Sequence, residues 1–396
     1  MSEIYLVFVV FLFVLAVFDL MVGVSNDAVN FLNSAIGAKV AKFRTIIIVA
    51  AVGVFMGATM SNGMMEVARN GVFHPAMFSL KELMFIFLAV MISDVILLDI
   101  FNNLGLPTST TVSLVFELLG GTAAFVLLKL ANDTTGLTVG DLMNTEKALG
   151  MIMAIFVSVA IAFFFGIVLQ YISRLVFTFT YKKNLKWKIG IFGGVATTAI
   201  FYFMLFKGIK SMSFVTPEIH EYIQNHTLAI LGICFLASTA IMQFLYFLKV
   251  NVFKILVLMG TFALAMAFAG NDLVNFIGVP LAGYSAFTDF AASGASDPST
   301  FMMSSLEGPA KSPMIFLVAA GAVMVFSLAT SKKAHNVIKT SVDLSRQSEG
   351  DEMFGSSKIA RVLVRFSNNT ANFFQDVVPD NVKAWCEKRF NTDEAR

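Results

Sequence analysis

Ser25-Asn26-Asp27-Ala28-Val29-Asn30-Phe31 and Gly270-Asn271-Asp272-Leu273-Val274-Asn275-Phe276 are one phrase written twice. Five of the seven positions agree, and the two aspartates stand 245 residues apart. Each copy follows an apolar run and precedes a glycine-containing segment, which predicts an interruption in the helix there. An ionisable side chain at mid-membrane costs about 2.5–3.5 kcal/mol on insertion scales. Asn and Asp are scarce in such runs, so chance recurrence is the weaker explanation of two acids in matching contexts. The phrase marks a repeat with a function.

Composition fixes the setting. Of 396 residues, 57% are hydrophobic and 14% charged, with mean hydropathy +0.79. A soluble domain carries about 25% charged residues, so this chain must bury its apolar surface in something larger than its own core, and lipid is the simplest candidate. A net charge of +2 argues against an electrostatic nucleic-acid binder. Cys234 and Cys386 supply neither a disulfide framework nor a zinc spacing. His74, His220, His226 and His335 are scattered singly, which leaves a metalloenzyme without a ligand set. No cofactor is expected beyond a coupling ion. The first apolar run lacks a basic leader and is read as a retained helix.

A span needs about 20 predominantly apolar residues. Candidates lie near 4–22, 45–65, 83–103, 109–128, 149–170, 189–206, 227–248, 255–271 and 312–331. Basic residues collect on the cytoplasmic side. Placing Arg174, Lys182, Lys183, Lys186 and Lys188 inside also puts Lys39, Lys42, Arg44, Lys249, Lys254, Lys332 and Lys333 inside. The N-terminus is then outside, the C-terminal tail is cytoplasmic, and the cell membrane is the expected location. In that orientation the two copies of the phrase follow spans of opposite direction. Inverted repeats with interrupted helices point to an alternating-access transporter that binds near the midplane. The expected fold is an all-α integral membrane bundle with inverted-topology repeats and interrupted or re-entrant helices. Residues 1–180 form the first half, 181–250 connecting helices, 251–331 the second half and 332–396 a polar tail. Residues 284–311 read as an exposed insertion. Ile359, Val362, Leu363 and Phe366 have the spacing of an amphipathic helix.

The expected core holds acids without bases. No Lys or Arg lies within 4–37, 82–128 or 255–310. Buried carboxylates there need protons or mobile cations. Asn26, Asp27 and Asn30, with Asn271, Asp272 and Asn275, offer hard oxygen ligands, and each pair Asn30–Asp27 and Asn275–Asp272 shares a helical face. Asp27 and Asp272 are the sodium ligands if the ion is sodium. Pro107-Thr108-Ser109-Thr110-Thr111 opens an apolar helix, whose free N–H groups and dipole attract an anion without a charged side chain. Its hydroxyls suit a tetrahedral oxyanion, although an ordinary capped helix start would look the same. Ser25 is placed with these hydroxyls. Asp19 reads as a second cation ligand or a pore-facing residue. Asp94 and Asp99 read more readily as acids reaching water, and Glu117 is undecided. Glu66 and Arg69 read as a surface pair.

These residues resemble a known family. Gly23 to Asn30 and Gly270 to Asn275 are similar to the duplicated Gly-x-Asn-Asp-x-x-Asn signature of the inorganic phosphate transporter (PiT) family. Pro107 to Thr111 resembles its Pro-x-Ser-Thr-Thr motif. The resemblance covers residues 1 to about 340 and implies symport of inorganic phosphate with sodium ions or protons. It implies cation sites at the Asn-Asp motifs and phosphate at the hydroxyls. Lipid and a second copy of the chain are further candidate partners.

The family carries the hydroxyl motif twice, whereas this sequence shows it once. The equivalent offset falls at residue 352, in polar sequence. The chain is therefore expected to be an incomplete transporter lacking a second set of phosphate ligands. Three other functions compete with this one. Membrane aspartyl proteases use Tyr-Asp and Gly-x-Gly-Asp motifs, and neither occurs here. A cation channel needs neither inverted halves nor an anion-binding helix start. Transport of another oxyanion such as sulfate stays open on residue chemistry alone.

Overall fold

Hydrocarbon offers no water to backbone N–H and C=O groups, so a span must satisfy them internally. The apolar runs accordingly fold as α-helices. The computed structural model describes residues 2–61, 66–132, 136–204, 217–308, 312–344, 355 and 357–391. Its helices are α1 (Ser2–Gly37), α2 (Phe43–Met60), α3 (Glu66–Asn70), α4 (Leu80–Leu104), α5 (Thr110–Ala131), α6 (Val139–Leu142), α7 (Thr145–Phe177), α8 (Lys188–Phe203), α9 (Pro217–Asn225), α10 (Thr227–Phe247), α11 (Val252–Ser293), α12 (Met314–Thr330), α13 (Lys332–Leu344), α14 (Lys358–Val377) and α15 (Asp380–Phe390). Among the described residues, seven are long and apolar enough to cross a membrane, namely α1, α2, α4, α5, α7, α10 and α11. The bent pair α12–α13 brings the number to as many as eight. The ends of two expected spans, 62–65 and 205–206, lie outside the described residues.

The protein is apolar outside as well as inside. None of the most apolar stretch of α7 is buried, and it exposes Phe156, Phe163, Phe164 and Phe165. Such a surface is stable only against lipid. The chain is a multi-pass membrane protein.

Helices α1 and α11 form the centre and cross antiparallel. Gly283 meets Leu12, Tyr284 lies 6.1 Å from Phe13, and Phe31 lies 5.2 Å from Phe268 between ring centroids. Between these contacts Phe276 presses on Gly23. Antiparallel crossing therefore lays one Asn-Asp phrase against the other.

Neither phrase interrupts its helix, contrary to the sequence expectation. α1 runs unbroken for 36 residues, and α11 runs for 42 with Pro280 inside it. At about 1.5 Å per residue these helices exceed the roughly 30 Å hydrocarbon core. Packing on both sides compensates for the local glycines. The sharp break falls instead at Ser331, where α12 and α13 bend by 68°. Residues 284–293, expected in an exposed insertion, continue α11 and bury Ala286 and Phe290. Their small polar residues suggested a loop, but the spacing of these two anchors is helical.

The tail expectation also changes. Residues 332–344 form α13, which buries Ala334, Val337 and Ile338 against the ends of α1 and α4. Asn33 donates to Ser341 at 2.9 Å. Gly105, at φ +68°, turns the chain out of α4 where a side chain would meet Thr340 at 3.2 Å. The amphipathic helix appears as α14, with Val362, Leu363 and Phe366 exposed.

Two anchors hold the opposite ends of α4 and α5. Ser79 and Glu82 form a capping box at the start of α4. Lys129, at the end of α5, reaches Glu82 at 3.0 Å and the Met77 carbonyl at 2.7 Å. Arg69 is not the surface residue expected. It is 7% exposed and donates to the carbonyls of Ser305 and Leu306, while the Glu66 side chain lies outside the described set.

Candidate functional site

The turn between α4 and α5 inserts into the crossing of α1 and α11. Asn102, buried on the last turn of α4, donates to the Val22 carbonyl at 2.8 Å. Asn26 donates to the Asn102 side-chain oxygen at 2.8 Å and to the Leu106 carbonyl at 3.1 Å. Its own oxygen accepts the Thr108 backbone N–H at 2.8 Å. Asn26 is thereby spent on holding the turn. Its amide can satisfy several backbone groups at once, which a hydrophobic residue cannot.

Held this way, α5 begins between the two aspartates. Thr110 donates to Asp27 at 2.8 Å, and Asn30 donates to the other Asp27 oxygen at 3.2 Å. Thr111 donates to Asp272 at 3.4 Å, and Asn271 donates to the same oxygen at 3.0 Å. Asn275 completes the bridge by donating to Thr110 at 3.1 Å and Thr111 at 2.9 Å. A continuous chain thus runs Asp27–Thr110–Asn275–Thr111–Asp272. Asp27, Thr110 and Asn275 are buried, Thr111 and Asp272 are half-buried, and Asn30 and Asn271 are exposed.

The remaining expected residues divide differently. Ser109 is exposed and caps α5 by accepting from the Val112 N–H at 3.3 Å. The Ser25 hydroxyl lies 2.7 Å from both the Met21 carbonyl and the Ser331 hydroxyl; its one hydrogen can go to Met21 while it accepts from Ser331, so it faces the α12–α13 break. Asn30 lies on its aspartate as the spacing indicated. Asn275 turns instead to the threonines. Ser61 was missed by sequence reasoning; it is buried and donates to the Gly270 carbonyl at 2.8 Å. Its position at the end of α2 gave no signal without the helix pairing.

Asp94 does not reach water. It is 1% exposed and accepts from Ser113 at 2.6 Å. Asp99, one turn further along, is the surface acid, paired with Lys333 and Asn103.

Two carboxylates hold the hydroxyls of a helix start whose first N–H groups have no intrahelical partner. The carboxylates offer oxygens that can hold a cation, and the hydroxyl and N–H groups offer donors that can hold an anion.

A family model described as the Phosphate transporter family matches residues 23–342. A solved structure titled "The sodium-dependent phosphate transporter" superposes with a TM-score of 0.62 at 18% identity, covering 87% of this chain and 79% of that one. A search of curated proteins returned no significant match. The matched residues include both Asn-Asp phrases and the whole α4–α5 turn.

Proposed function

The chain belongs to the phosphate transporter family, a family of transporters and not enzymes, and from that premise we propose that it couples phosphate uptake to cation entry at the α1–α11 crossing. The carrying observation is the hydrogen-bonded chain from Asp27 through Thr110, Asn275 and Thr111 to Asp272. Asp27 and Asp272 take the cations, with Asn30 and Asn271 as their side-chain neighbours. Thr110 and Thr111, with the N–H groups that open α5, take the phosphate.

Coulomb's law makes the two events depend on each other. Phosphate beside two ionised carboxylates in a low-dielectric pocket is repelled by several kcal/mol, on the order of 4 kcal/mol per pair at 4 Å and an effective dielectric of 20. Sodium ions or protons on the carboxylates remove that repulsion. They also release the threonine hydroxyls, each of which has one hydrogen to give. Cation binding therefore raises anion affinity, and linkage requires the converse. Retaining the sequence-derived polarity, the N-terminus is outside and α13 lies on the cytoplasmic side of the cell membrane.

Labelled phosphate uptake into proteoliposomes, with sodium and proton gradients imposed separately, tests the reading. Uptake driven by either gradient and competed by excess unlabelled phosphate but not sulfate is expected. Gradient-independent flux, or equal competition by sulfate, would sink it. Within the site, the double substitution Thr110→Val and Thr111→Val is expected to weaken phosphate binding about 10- to 100-fold, as two donors worth roughly 1 kcal/mol or more each are removed. Calorimetric titration with phosphate at saturating sodium measures it, and unchanged affinity would remove these hydroxyls from the phosphate site.

A further inference from the structure

A second group of acids lies two helical turns along α1 from Asp27 and takes no part in the chain of hydrogen bonds described above. Asp19 is fully buried, and neither of its carboxylate oxygens accepts from an N–H or hydroxyl donor; the polar group beside it is the Asp94 carboxyl. Asp94 from α4 and Glu117 from α5 face it. Ser113 donates to Asp94 at 2.6 Å and approaches Glu117 at 3.1 Å, but its single hydrogen serves one carboxylate at a time. One oxygen of Asp94 and one of Glu117 are likewise buried without a partner.

The titratable groups facing Asp19 are Asp94 from α4, Glu117 from α5 and Asp27 from its own helix. Asp272 of α11 faces Asp27 in turn. All are acids. No lysine or arginine is among the groups that face Asp19; Lys333 of α13 pairs with Asp99 and Lys129 of α5 with Glu82.

Three carboxylates served by one hydroxyl and no base cannot all be ionised at once inside a membrane protein. Sodium needs a shell of several oxygens, whereas a proton needs only two, one to sit on and one to donate to. No three of the described acids are spaced to hold a metal ion together. Asp19, with two open acceptors against Asp94, meets the requirement of a proton.

We propose that Asp19, Asp94 and Glu117 form an exchangeable proton site, distinct from the Asp27–Asp272 cation site. A carboxylic acid O–H on one member donates to a carboxylate oxygen of its neighbour, and in exchange the proton passes to water and leaves the group with one more negative charge. Its part in coupling rests on the transport reading, whereas its existence does not.

Infrared spectra of the protein in lipid nanodiscs at saturating sodium and neutral pH test the site through the carbonyl stretch of protonated carboxylic acids. The protein is expected to show this band, and Asp19→Asn and Glu117→Gln each to diminish it. The double variant is expected to lose it, and Asp19→Glu to restore it where Asp19→Asn folds poorly. Asp27→Asn is expected to keep it even where phosphate uptake is gone, which separates this site from the transport reading. A band of unchanged intensity in the double variant, or no band in the unsubstituted protein, overturns the proposal.

Discussion

Asp27→Asn is expected to abolish cation-driven phosphate uptake while leaving the protein folded. Asn keeps the size of the side chain, and its single amide oxygen can still accept from Thr110, the nearer of the two donors that hold Asp27 at 2.8 and 3.2 Å. It gives up the weaker bond from Asn30, because its NH2 group cannot accept, and above all it loses the charge. Removing one member of a buried charge pair costs about 3–5 kcal/mol, which is roughly two to three and a half orders of magnitude in cation affinity. Asp272→Asn is expected to act in the same direction with a smaller effect, because Asp272 is only half-buried and solvent screens part of its field. Sodium-dependent uptake and equilibrium sodium binding should fall together. If Asp27→Asn takes up phosphate with unaltered sodium dependence, the cation belongs elsewhere. Unaltered proton dependence would likewise place a coupling proton elsewhere.

The sequence announced the two aspartates because Asn and Asp stand out in an apolar background. It also announced that their helices enter from opposite sides, through the distribution of Lys and Arg. It could not announce what lies between them. Thr110 and Thr111 were legible as a hydroxyl-rich helix start, but their meeting with Asn275 depends on the crossing of α1 and α11. Spacing likewise placed Asn30 beside Asp27 and could not show Asn275 turning away from Asp272. Where residue type and burial conflicted, the reading failed. Arg69 read as exposed because arginines usually are, yet carbonyls of residues 305 and 306 satisfy it in the interior. Residues 284–293 read as a loop from the Ser, Ala, Asp and Gly content of the whole stretch 284–311, although small residues such as Ala286 also fit a crowded helix interface. Asp94 and Asp99 lie on one helix five residues apart, which turns them to different faces, and only the packed neighbours decide which is buried.

The same crowding leaves Gly57, among the described residues, no room for a side chain. A Cβ there would lie 2.0 Å from the Met266 carbonyl oxygen and 3.0 Å from the Gly270 backbone nitrogen. Gly53, one turn earlier, faces the Phe262 carbonyl at 2.6 Å, so α2 meets α11 through a Gly-x-x-x-Gly face. Overpacking in an ordinary core costs about 1–3 kcal/mol because neighbouring side chains give way. Here the obstacle is backbone, which cannot rotate aside, and total stability is only about 5–15 kcal/mol. Gly57→Val is therefore expected to eliminate folded protein, measured as the monodisperse fraction after detergent extraction. Gly120→Ala is the control, since nothing lies within 4 Å of its added carbon; it should be neutral or stabilising by up to about 1 kcal/mol. Gly57→Ala extends the effect from folding to function. Any variant that survives must shift α11 away from α2 beside Gly270, two residues from Asp272, and should lose sodium affinity before it loses its fold. Wild-type melting and sodium binding in Gly57→Ala would show that the helices do not pack this closely, and the antiparallel crossing that joins the two phrases would need a different geometry.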